Sequence, residues 1–291
     1  MYIDLIHHFQ ARGPQRSTMA SMQHKVVAIT GGASGIGLAL ALLLIQRGAK
    51  VSIADISAPN LATAVAAIRE MSAHGDDVLI TRCDVRDLVQ VQAWLKETVH
   101  KFGKLDGAAN LAGVTGKGSG SKIVDQDEED WDFVIGVNLT VCRRASFCII
   151  SMSPDLNKQG LMHYLKVEIP LMQTGGGIVN VSSVAGVRGL PGSGAYCASK
   201  HGIIGLTRVA AKENGGKVRV NVVAPGYIDT PMSQKAVKLA GPEMMQRVLS
   251  MMPIARMGDA SEVATCIAFL LSEESSFVTG AVWGVDGGWN T

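Results

Sequence analysis

The sequence predicts an α/β fold: a single doubly wound domain built on a seven-stranded parallel sheet with helices on both faces. Three observations carry that prediction. From Lys25 onward, short apolar runs alternate with longer stretches of helical period, the rhythm of strand, crossover and parallel strand. Runs such as Val26-Val27-Ala28-Ile29 and Ile178-Val179-Asn180-Val181 are nearly continuous in apolar residues, as strands buried on both faces must be. A glycine-rich turn follows the first run directly. With 291 residues, 47% hydrophobic and 18% charged, the chain can bury one large core, which excludes disordered and fibrous classes.

Taken in order, the strands are expected at Val26 to Thr30, Val51 to Asp55, Val78 to Asp84, Gly107 to Leu111, Ile178 to Ser182, Val218 to Ala224 and Ala281 to Asp286. No composition break separates them, so residues 25–291 form one expected domain. Residues 1–24 read as a disordered leader, polar around Arg12, Gly13, Pro14 and Arg16. Its two arginines and single acid, Asp4, also admit an organelle-targeting reading, and Met19 or Met22 is an alternative start.

Charge narrows the partners. The 27 Lys+Arg and 25 Asp+Glu leave a net +2 with no basic block, so no nucleic-acid partner is expected. The longest aliphatic run, Leu38 to Ile45, is far shorter than the ~18 residues of a spanning helix. The expectation is therefore a cytoplasmic protein without membrane contact. Cys83, Cys142, Cys148, Cys197 and Cys266 form no C-x-x-C, so neither a disulfide framework nor a metal site is expected.

The turn reads Thr30-Gly31-Gly32-Ala33-Ser34-Gly35-Ile36-Gly37 and opens a helix beginning at Ile36, with Leu38, Leu42 and Ile45 on one face. Glycine there lets the chain turn sharply and lets a pyrophosphate approach backbone N–H groups at a helix N-terminus. Gly31, Ser34, Gly35, Ile36 and Gly37 are the expected contacts. Asp55, at the end of the second strand, can accept from both ribose hydroxyls of an adenosine and would repel a 2′-phosphate, which selects NAD over NADP. Its plainer role is to cap the following loop. Asp84, at the expected end of the third strand, either holds the adenine amino group or makes a turn.

Tyr196 and Lys200 stand four residues apart, on one face of a helix. A free phenol ionises near pH ~10 and is a poor acid or base at neutrality until a cation stabilises its phenolate. Lys200 is that candidate cation.

Together these features resemble the short-chain dehydrogenase/reductase family, across essentially everything from Lys25 to Thr291. The resemblance is carried by the Thr30 to Gly37 turn, Asp84-Val85, Asn110-Leu111-Ala112-Gly113, Asn138, Ser183, Tyr196 with Lys200, Pro225-Gly226, Thr230, and Val285-Asp286-Gly287-Gly288. It implies a Rossmann domain and an oxidoreductase interconverting a secondary alcohol and a ketone by hydride transfer with a nicotinamide cofactor. It implies that Ser183, thirteen residues before Tyr196, binds the substrate oxygen while Tyr196 exchanges the proton. Lys200 would lower the Tyr196 pKa and hold the nicotinamide ribose, and Asn138 would anchor a water. Val85, Asn110, Ala112, Gly113, Pro225, Gly226, Ile228 and Thr230 are further implied cofactor contacts. Met232 to Met252 would cover the substrate, and its methionines favour an apolar one. A homodimer or homotetramer is implied.

Two departures stand out. Leu111 replaces a second Asn of the family pattern. Asn138 and Glu168 are separated by thirty residues, where about eleven is the family spacing; removing the nineteen residues Val141 to Gln159 restores it. That insertion reads either as a retained intron of fifty-seven nucleotides, since Val codons begin GT and a Gln codon can end AG, or as a functional segment. Nineteen residues of helix would displace the rest of the chain by ~28 Å, so the insertion is expected to loop out. Lying beside Asn138, it motivates the rival reading of a catalytically impaired NAD-binding protein. A 3-oxoacyl thioester reductase shares every motif.

Overall fold

The computed structural model describes residues 22–71, 75–117, 120–139 and 161–290. Seven strands form one parallel sheet: β1 (Val26–Thr30), β2 (Lys50–Asp55), β3 (Val78–Arg82), β4 (Gly107–Asn110), β5 (Gly176–Val181), β6 (Val218–Pro225) and β7 (Val282–Val285), in spatial order β3-β2-β1-β4-β5-β6-β7. β1 pairs with both β2 and β4, so the crossovers run in opposite directions from it. A crevice opens at the carboxyl ends of the strands where the order reverses, and the glycine turn lies there.

The helices are α1 (Gly35–Gln46), α2 (Ala58–Met71), α3 (Leu88–Phe102), α4 (Glu128–Asn138), α5 (Leu161–Leu171), α6 (Gly194–Asn214), α7 (Pro231–Ala240), α8 (Pro242–Ser250) and α9 (Ala260–Leu271). One face of the sheet buries Leu40, Leu44, Val263 and Ile267 from α1 and α9. The other buries Trp94 and Leu95 of α3, Tyr164 of α5, and Ile203 and Ile204 of α6. The fold class read from the sequence is therefore the one observed.

Several boundaries are corrected. α1 starts at Gly35, one residue early, and its fully buried stripe is Gly37, Leu40, Ala41 and Leu44. Leu38, Leu42 and Ile45 are half-buried against the same cluster, because α1 is covered by both the sheet and α9 and is apolar all round. β3 ends at Arg82, two residues before Asp84. After Cys83 donates to the Asp55 carbonyl, the backbone leaves the ladder and the Asp84 N–H turns to the Gln90 side chain. Met22 lies inside the expected leader yet is 1% exposed and closes the core beneath α1, with its N–H on the Arg47 carbonyl. Residues 1–21 and the whole of Val141 to Gln159 lie outside the described residues. Among the described residues, no helix is long and apolar enough to cross a membrane.

Candidate active site

Gly31 and Gly37 show why the turn is built of glycine. Gly31 has φ +64°, and a Cβ on Gly37 would lie 2.2 Å from the Gly31 carbonyl oxygen. Side chains are therefore excluded and the N-terminus of α1 is left bare. Ser34 caps it without a side-chain hydrogen bond, and no acid occupies the first turn. An uncapped helix N-terminus behind a side-chain-free cradle fits the pyrophosphate of a dinucleotide.

Asp55 takes the plainer of the two roles read from the sequence, the loop cap, and braces the glycine turn besides. Its buried carboxylate accepts from the Ser57 N–H at 2.9 Å, capping the following loop, and from the Ala33 N–H at 3.3 Å, bracing the glycine turn. Asp84 is elsewhere. Beyond the strand end, its carboxylate clamps the Arg86 guanidinium, with Nη2 at 2.6 Å and Nε at 2.9 Å, and Arg86 lies over the Phe133 ring. Val85 is buried in the core beside it.

Asn110, at the end of β4, points into the protein, donating to Glu168 and Asn180. Past it, the Leu111 and Ala112 N–H groups donate to Thr30 Oγ1 at 3.2 and 3.3 Å, which seats this turn against the glycine turn. Leu111 packs half-buried on the core. Gly113 sits beside the Asn138 side chain and Lys200 Nζ. On the far side, Gly226 donates to the Val285 carbonyl and Ile228 is buried. Thr230 caps α7 through a reciprocal pair with Ser233, and its methyl lies against Gly35.

Ser183, Tyr196, Lys200 and Asn138 converge. Ser183 caps a short turn, Val184–Gly186, by accepting from the Ala185 N–H, and its hydroxyl is hydrogen-bonded to the Tyr196 phenol. Ser182 instead donates inward to the Lys200 carbonyl. Lys200 Nζ lies 5.5 Å from the Tyr196 ring centroid and donates to the Val181 carbonyl at 3.0 Å. The Asn138 amide is fully engaged: Oδ1 accepts from the Val114 N–H, while Nδ2 donates to the Val114 carbonyl and Ser199 Oγ. Ser199, not singled out in the sequence, thus ties Asn138 to the helix of Tyr196, whose carbonyl it also reaches at 2.7 Å.

The electrostatics correct one expectation. The Tyr196 pKa is raised, not lowered: burial outweighs the Ser183 hydrogen bond. Lys200 does not reverse this, and burial pushes its own pKa down to about 8. Beneath the cleft, burial pushes Glu168 from 4.5 up to about 7, against the Asn110 hydrogen bond. An acid with a raised folded pKa loses stability as pH climbs from its unfolded to its folded value, here roughly 3 kcal/mol between pH 4.5 and just above 7. Glu168→Gln is therefore expected to raise Tm above wild type by about 5 °C at pH 8, with the gap closing toward pH 5. A gap independent of pH in thermal melts would refute this.

This fold and this cluster are those of a hydride-transferring oxidoreductase. The short chain dehydrogenase family model matches residues 25–240. Short-chain dehydrogenase/reductase aba4 of Botryotinia fuckeliana is 46% identical over 270 residues, covering 91% of this chain and 96% of that protein. The 3-oxoacyl-[acyl-carrier-protein] reductase FabG of Thermotoga maritima is 41% identical, covering 92% and 98%. The crystal structure of levodione reductase superposes with a TM-score of 0.78 at 36% identity, covering 91% and 97%. The chain belongs to the short-chain dehydrogenase/reductase family. It is an oxidoreductase of secondary alcohols and ketones that uses a nicotinamide cofactor. The names of relatives such as levodione reductase and a glucose/ribitol dehydrogenase of Brucella melitensis point to small-molecule substrates for those proteins.

Proposed function

We propose that this chain is an NAD-preferring dehydrogenase/reductase of an apolar secondary alcohol and its ketone. The observation that carries the reading is the Ser183–Tyr196 hydroxyl pair beside buried Lys200, across the cleft from a glycine turn braced by Asp55. The nicotinamide cofactor, when bound, supplies or accepts the hydride. Ser183 holds the substrate oxygen, and Tyr196 gives it or takes from it the proton. Lys200 holds the nicotinamide ribose and favours the phenolate. Because both ends of the Asn138 amide are engaged, a water anchored by Asn138 would sit on its backbone carbonyl. Gly31 to Gly37, Asp55 and the Pro225 to Thr230 segment embrace the cofactor.

The apolar substrate is supported by the methionines of the Met232 to Met252 segment, among which Met232 and Met251 are exposed. A homodimer or homotetramer is part of the same reading.

NADH is expected to bind at least about tenfold more tightly than NADPH, because a 2′-phosphate beside Asp55 meets a like charge, and Asp55→Asn should narrow the difference. Fluorescence titrations favouring NADPH would sink the preference. Steady-state assays on cyclic and open-chain ketones, with acetoacetyl-CoA alongside, test the reaction. A higher kcat/KM for the thioester would replace this reading with the one suggested by the FabG relative. Cofactor binding without turnover on any of them would favour the impaired protein.

A further inference from the structure

We propose that Glu168 is a positioning residue of the cofactor cleft: by holding Asn110, it sets the place of the Leu111–Gly113 turn against the glycine turn. This rests on reading the cleft as a nicotinamide dinucleotide site. Glu168 stands on the inward face of α5, 1% exposed, and among the described residues it makes no ion pair. Its hydrogen-bond partner is Asn110, with Nδ2 3.1 Å from Oε2. The same Asn110 amide donates to Asn180 Oδ1 at 2.9 Å, and Asn180 Nδ2 donates to Thr207 Oγ1 at 2.8 Å. One buried chain of side chains thus ties α5, β4, β5 and α6 together directly beneath the cleft. Those elements carry or lead into the Leu111–Gly113 turn, Ser183, Tyr196 and Lys200.

α5 reaches the same turn a second time. One helical turn before Glu168, Tyr164 extends toward Thr30 without completing a well-aligned hydrogen bond, and Thr30 Oγ1 receives the Leu111 and Ala112 N–H groups. An apolar residue at 168 would satisfy the surrounding core at less cost, since a buried carboxyl without a cation is expensive. What the carboxyl does offer is the hydrogen bond to Asn110.

The protonation state matters to that bond. Asn110 Oδ1 is buried without a partner. The Asn110 Nδ2–H donates to either form of the carboxyl and by itself favours the carboxylate, but only the neutral acid that burial favours has an O–H to offer Asn110 Oδ1. The other ionisable groups of this region are Tyr164 on α5 and Cys83 and Asp84 after β3. β4, β5 and α6 present Asn110, Asn180 and Thr207 to this chain, none of which titrates, while α6 also carries Tyr196 and Lys200, whose Nζ lies beside Gly113 at the far side of the turn.

The test titrates NADH by fluorescence into the full chain as wild type, Glu168→Gln and Glu168→Ala, from pH 6.5 to 9, with Tm recorded for each. Wild-type affinity is expected to weaken about fivefold across this range as Glu168 ionises. Glu168→Gln should lose clearly less affinity than wild type across the range, its amide standing in for the neutral acid, with Lys200 alone left to titrate. Folded Glu168→Ala should bind about tenfold more weakly at every pH. If Glu168→Ala does not fold, the pH response of Glu168→Gln decides alone. Variants that change Tm but not Kd would overturn the proposal, as would the same pH response in Glu168→Gln as in wild type. Failure of the wild type to bind either NADH or NADPH, titrated alongside, at any pH would instead bring down the nicotinamide reading itself, and the proposal with it.

Discussion

Tyr196→Phe is expected to lower kcat by about a thousandfold while leaving NADH affinity within about twofold of wild type. The substitution removes one oxygen. The ring that faces Lys200 at 5.5 Å and the helix that carries both remain, so the cofactor loses little binding surface. The substrate oxygen loses its proton partner, and Ser183 loses the hydroxyl with which it is paired. Neither Ser183, whose ordinary pKa is far above neutrality, nor Lys200, which donates to the Val181 carbonyl, can take over that proton at the same place. Single-turnover kinetics with an active ketone would decide it. A residual rate within tenfold of wild type would mean that another group is the acid.

Gly37→Ala should be almost as damaging, through binding. A Cβ there would lie 2.2 Å from the Gly31 oxygen and 2.9 Å from Gly32 Cα, and both are backbone atoms that cannot rotate aside. The turn must move away from α1, which separates the backbone N–H groups that a pyrophosphate needs together. NADH affinity is expected to fall about a hundredfold, accompanied by a loss of about 1–3 kcal/mol in stability from the displaced packing. Gly205→Ala is the control. It lies on the exposed side of α6 with nothing within 4 Å of its added Cβ, and it should leave binding intact. Normal NADH binding by Gly37→Ala would show that the turn is not the phosphate cradle.

The sheet and the placing of the turn were legible because both are written in local pattern: apolar runs for buried strands and glycines where a Cβ would strike backbone. Tyr196 and Lys200 were legible because helical spacing alone brings them onto one side. Asp84 was not, because β3 reads as continuous through Cys83 and nothing in the spacing reveals that Arg86 claims its carboxylate. The direction of the Tyr196 shift was missed for a related reason: charge partners can be guessed from sequence, but the burial that opposes them is a property of packing. Asn110 looked like a cofactor contact by motif, yet its amide faces inward. The Glu168–Asn110–Asn180–Thr207 chain joins positions 58, 70 and 27 residues apart, and no periodicity links them. The single acid of helix Leu161–Leu171, on the same face as Tyr164, was the available clue.

The cover that α9 gives to α1 has a consequence for how the protein is made. α1 ends at Gln46 and α9 begins only at Ala260, so α1 leaves the ribosome well before α9. At typical synthesis rates of about 5–20 residues per second, the Leu38 to Ile45 stretch waits on the order of tens of seconds before its lid exists. Throughout that wait, the most apolar segment of the chain is open to chaperones or to other nascent chains. A product truncated before Ala260 would carry every residue of the glycine turn and of the Ser183–Lys200 cluster, yet it would be a quality-control substrate and not a smaller enzyme.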